Sequence, residues 1–76
     1  MNEEKAKEIL SDHLGSEYLV LECFDRANNI FQFYVKEKKY ENDDFVLPSI
    51  FGVNTSGKVL SIEEILEIER ANKEIG

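Results

Sequence analysis

The sequence predicts an α+β domain in the order α-β-β-β-β-α: a four-stranded, mostly antiparallel sheet packed with an N-terminal and a C-terminal helix. Three observations carry this. Apolar residues recur at spacings of three and four near both ends of the chain, in Ala6, Ile9, Leu10 and Leu14 and again from Ile62 onward. Between them, EYLVLECFDRANNIFQFYV reads as two apolar strands joined by a polar turn. Then FVLPSIFGV and KVL are separated by Asn54-Thr55-Ser56-Gly57, which has turn chemistry.

The first helix presents Ala6, Ile9, Leu10 and Leu14 on one stripe, and Gly15 supplies a left-handed stop. His13 lies on the same stripe, between Ile9 and Leu14, and reads as a packed or helix-terminal histidine. In the hairpin, a loop over residues 25–29 pairs Phe24 with Ile30, Cys23 with Phe31, Glu22 with Gln32, Leu21 with Phe33, Val20 with Tyr34, Leu19 with Val35 and Tyr18 with Lys36. Residues 36–44 are a charged, solvated connection. Residues 45–53 form a third strand interrupted by Pro48, which lacks a ladder donor and so indicates an edge or a bulge. After the Gly57 turn, Lys58-Val59-Leu60 completes a short second hairpin. Ser61 opens a capping box with Glu64. The last helix spreads Ile62, Ile65, Leu66, Ile68, Ala71 and Ile75 over a broad arc, with Glu63, Glu67, Arg70 and Glu74 on its polar side.

Alternation in the hairpin places Leu19, Leu21, Cys23, Phe31, Phe33 and Val35 on a uniformly apolar core side. The opposite side carries Tyr18, Val20, Phe24, Ile30 and Tyr34 around a central polar pair, Glu22 and Gln32. If both helices pack on the first side, these seven residues form an exposed protein-binding face or a homodimer interface. If the broad-faced C-terminal helix covers the second side, the extra apolarity is ordinary core. The sequence leaves both arrangements open.

All 76 residues read as one small domain, with enough apolar and aromatic material for a core and one cysteine, which excludes an internal disulfide. MNEEKAKEIL lacks the basic start and apolar run of a secretory signal, and no stretch is long enough to span a bilayer, which points to a cytoplasmic protein. Nine basic residues against sixteen acidic ones give a net charge of −7, which disfavours nucleic acid and suits a basic protein partner. Catalytic chemistry is not indicated. Cys23 falls on a core face, one His and one Cys make no zinc pattern, and Glu41, Asp43 and Asp44 lack the spacing and central glycine of a calcium loop. No glycine-rich phosphate cradle is present, so no cofactor is expected.

Phe31-Gln32-Phe33-Tyr34, followed by the run from Pro48 to Val59, resembles the small bacterial YrhB-type immunity-protein domains, with an initial helix, an aromatic strand and a proline-led strand ending in an Asx-x-x-Gly turn. Phe31 stands where that pattern has tryptophan, and Gly52 interrupts the apolar strand. A second likeness, to PepSY-type domains, rests on GVNTSGKVLS. The immunity resemblance implies a non-enzymatic binding protein that neutralises a toxin, for which an acidic surface suits a basic target.

Overall fold

The computed structural model describes residues 1–75. The elements are α1 (Glu3–Leu14), β1 (Tyr18–Asp25), β2 (Ile30–Glu37), β3 (Ser49–Asn54), β4 (Val59–Ser61) and α2 (Ile62–Ile75), with short 3-10 turns at Ala27–Asn29 and Lys38–Tyr40. The strands form one antiparallel sheet in the order β1-β2-β3-β4, giving the α+β arrangement expected of the sequence.

Local chemistry sets the element ends. Asn2 caps α1, its Oδ1 accepting the Lys5 N–H at 2.8 Å, and Gly15 ends the helix at φ 89° with its N–H bonded to the Ser11 carbonyl. The β1–β2 turn places Asn28 and Asn29 at φ 59° and 60°, a left-handed conformation that asparagine tolerates better than most residues. In the β3–β4 turn, Asn54 Oδ1 accepts the N–H groups of Ser56 at 3.0 Å and Lys58 at 2.9 Å. The capping box forms in both directions: Ser61 Oγ accepts the Glu64 N–H, and Glu64 Oε1 accepts the Ser61 N–H, each at 3.3 Å.

The two helices lie on opposite faces of the sheet. On one face, Ala6 and Leu10 of α1 are buried with Phe33, Val35 and Val53. On the other, Ile65 of α2 is buried with Ile30 and Leu60, and Ile50 and Ile68 pack beside them. The alternation of β2 accounts for the division: Phe33 and Val35 point one way, Ile30 and Gln32 the other. Of the two arrangements that the sequence leaves open, the chain adopts the one in which the C-terminal helix covers the second face. Glu74 and Ile75, assigned from the sequence to the two sides of that helix, have side chains outside the described residues.

At Gly52 a side chain of α2 sits directly against the sheet. A Cβ built there would lie 2.6 Å from Ile30 Cγ2 and 2.9 Å from Ile65 Cδ1, both nearer than real Cβ contacts. The apparent interruption in the apolar strand is thus the seat of the helix.

The hairpin register differs from the expected one by a residue: Tyr18 pairs with Glu37, Leu19 with Lys36 and Val20 with Val35. Two irregularities then shift it further, so Cys23 pairs with Phe33 and Asp25 with Gln32. A bulge inserts residues without partners and breaks strict alternation. Val20 and Cys23, three apart, therefore both pack against the α1 cluster, whereas Leu21, expected in the core, is exposed and Leu19 is half-buried. The third strand also differs from expectation. It begins at Ser49 and lies inside the sheet, so Pro48 sits just before the ladder and not on an edge, while Phe45 and Leu47 lie in a loop.

Gly52→Ala is expected to destabilise the fold by roughly 1–3 kcal/mol, the usual cost of overpacking. Urea unfolding measures it, and the loss should shrink in an Ile65→Val background, which removes the Cδ1 the new methyl would meet. Ser61→Ala should cost about 1 kcal/mol through loss of the cap.

Candidate functional site

Helix α2 crosses its face of the sheet obliquely. Its start lies beside β3, where Ile62 and Ile50 line one groove. Ile65 sits over Gly52, Glu69 reaches Gln32, and Asn72 Nδ2 donates to Asn28 Oδ1 at 2.7 Å in the β1–β2 turn. This path covers Ile30 and Gln32 and leaves the lower part of β1 and β2 open. There Phe24 and Tyr34 stack with ring centroids 4.3 Å apart and an interplanar angle of 22°, a pairing worth about 0.5–1.5 kcal/mol beyond its buried area. Phe24 remains 39% exposed, and on α2 Ile62 and Leu66 are 37% and 50% exposed. Residues 62, 66 and 69 lie on one helical stripe, and Glu69 faces Gln32. On that stripe Ile62 borders Pro48, Ile50 and Phe51, and Leu66 borders Asn28, Arg70 and Lys73.

The seven residues that the sequence groups on one face are therefore divided. Phe24 and Tyr34 remain together on the α2 side. Ile30 and Gln32 share that side but are buried, at 2% and 4% exposure. Val20 pairs with Val35 and packs toward α1, and Tyr18, paired with Glu37, lines a cavity with Val35 and Phe51 on the α1 side. Glu22 lies in the bulged stretch between Val20 and Cys23 and is exposed.

The polar centre is also different from the expected Glu22/Gln32 pair. Gln32 Nε2 donates to Asp25 Oδ2 at 3.3 Å and approaches Glu69 Oε1 at 3.5 Å. A buried amide between two acceptors is satisfied without burying an unpaired charge. Sequence reasoning does not single out Glu69, because its partner is set by how α2 lies on the sheet. Leu66 carried a signal in the sequence, since an apolar arc broader than one groove exceeds what a single contact covers.

Other chemically capable groups are placed apart. Cys23 is half-buried, its Sγ donating to the Asp25 carbonyl at 3.4 Å, and burial pushes its thiol pKa up. His13 is exposed at the end of α1. Among the described residues, no group of three or more His, Cys, Asp or Glu side chains converges to hold a metal, and no helix is long and apolar enough to cross a membrane. An open groove of about 600 Å³ runs between Asn28 and the outer residues of α2, including Leu66, Arg70 and Lys73. No family model, curated protein or solved structure matches the chain.

The raised Cys23 pKa has a testable consequence. The fold favours the neutral thiol, so its stabilising contribution is complete below the unfolded thiol value near ~8.5 and is lost as pH rises through the higher folded value. At pH 8 the native protein should react with a disulfide reagent more slowly than the urea-unfolded chain. Equal rates would show the thiolate to be free in the fold.

Proposed function

We propose that the chain is a non-enzymatic binding module of the bacterial cytoplasm that engages a basic protein partner, in the manner of an immunity-type inhibitor. The observation that carries this reading is the half-covered sheet face: Phe24 stacked on Tyr34, with Ile62 and Leu66 exposed on the flank of α2. Apolar residues left open on one face beside a satisfied core are the usual material of an interface centre. Exposed acids accompany them, alongside the Arg70 and Lys73 that border Leu66. Glu22 lies in the bulge of β1, and Glu63 and Glu67 are on the exposed side of α2. With a net charge of −7, a cationic partner is steered to this chain, whereas a second copy is repelled. The likeness to YrhB-type immunity domains in the β2 and β3 segments agrees with such a role.

Two variants and one physical measurement test the reading. Sedimentation equilibrium of the wild-type protein from micromolar to near-millimolar concentration is expected to give the monomer mass of 8.8 kDa. A dimer that Leu66→Glu dissociates would assign the face to self-association. Leu66→Glu and Phe24→Glu alter residues that are 50% and 39% exposed, so both should keep the wild-type circular dichroism and melting temperature. Each should weaken the complex with the cellular partner by about 30-fold, the scale of a hot-spot loss near 2 kcal/mol, while Ser56→Glu on the distant β3–β4 turn should not.

A further inference from the structure

We propose that the 41–48 loop carries a second, independent docking element, with Phe45 and Leu47 as preformed anchors for an apolar pocket on a protein partner whose rim bears lysine or arginine. Phe45 is 97% exposed and Leu47 85% exposed, the two most exposed large apolar side chains among the described residues. They belong to no part of the α2 face, since the loop follows β2 at the opposite end of the sheet from the Asn28 turn.

The loop is held in shape around Asp43. The Asp43 N–H bonds to the Tyr40 carbonyl at 3.0 Å, and its own carbonyl accepts Lys36 Nζ at 2.7 Å and the Val46 N–H at 3.3 Å. Its carboxylate accepts the Phe45 N–H at 3.0 Å. Val46 is half-buried and lines a cavity of about 230 Å³ with Tyr18, Tyr40 and Phe51. Pro48 restricts Leu47 to extended backbone. With Val46 turned in, Phe45 is turned out and Leu47 stands largely exposed at the mouth of the same cavity, and little conformational entropy remains to be lost on docking. A phenylalanine withdrawn from water removes roughly 150–250 Å², which is the scale of an interface anchor.

Charge identifies the occupant. Glu41, Asp43 and Asp44 surround Phe45 and outnumber the two cations of the same groove, Lys38 and Lys39; Lys39 is engaged by Glu37 at 3.3 Å, and nearby Lys36 by the Asp43 carbonyl. A pocket with a cationic rim complements Asp44. An anionic lipid surface does not, and a second copy brings the same acidic loop and the same −7.

The experiment is site-directed photocrosslinking in cells that make the protein, with benzoylphenylalanine incorporated at position 45. The expected result is one discrete protein adduct whose crosslinked peptide combines apolar residues with lysine or arginine, and whose yield falls about tenfold in Asp44→Lys. The purified crosslinked protein should then bind Phe45→Ser about tenfold or more weakly than wild type, at an unchanged melting temperature. A crosslink between two copies of the chain, a lipid adduct, an adduct insensitive to Asp44→Lys, or no adduct would overturn the proposal. The same probe at position 66 reports separately on the α2 face, so failure of either element leaves the other distinguishable.

Discussion

Gly52 has no side chain, and Ile30 and Ile65 occupy the space that a Cβ would need. That vacancy lets α2 lie directly on β3, and burial of Ile65 there, at about 1.5–3 kcal/mol for such a side chain, closes the second face of the sheet. Without it, Ile30 and Leu60 would face water, and the sheet would have one buried face in place of two. The capping box at Ser61 and Glu64 starts the helix immediately after β4, so Ile65 falls one turn later, over the glycine. Local capping and long-range packing thus reinforce one another.

The same contact determines what stays open. Because α2 lies over β3 and β4, pinned at Gly52, and reaches the hairpin through side chains at Gln32 and Asn28, it does not also cover the Phe24–Tyr34 stack. A helix is about 10 Å wide, whereas four strands at about 4.8 Å spacing present a broader surface. One helix per face leaves a margin. On the α1 side the margin near Tyr18 and Phe51 is partly filled by Val46 of the 41–48 loop; on the α2 side Phe24 and Leu66 remain 39% and 50% exposed. The Asp25–Gln32–Glu69 group bounds this open region, satisfying the buried amide where the helix meets the hairpin.

Features written in short stretches were legible. The Gly15 stop, the Asn54 turn, the Ser61 cap and the order of elements each depend on residues within a few positions of one another. The register of β1 was not legible in that way. Alternation assigned Val20 and Tyr18 to the wrong face because two bulges absorb residues in a strand whose apolar run, Tyr18 to Phe24, fits several registers almost equally well. Inside an apolar run Pro48 signals an edge or a bulge, whereas the ladder begins one residue later and the proline needs no donor there. Phe45 and Leu47 belonged by hydropathy to that strand, and only the Asp43-centred turns set them in solvent.

The sequence by itself determined the α-β-β-β-β-α order, the turns and caps, and the acidic surface, since these follow from residue type, local spacing and charge count. Only the tertiary structure decided that the helices take opposite faces, that Gly52 is a docking point, and which aromatic residues remain open. Those outcomes rest on contacts between residues far apart in the chain, such as Ile30 with Ile65 and Gln32 with Glu69. Their geometry depends on register and crossing direction, and neither quantity is carried by a short stretch of sequence.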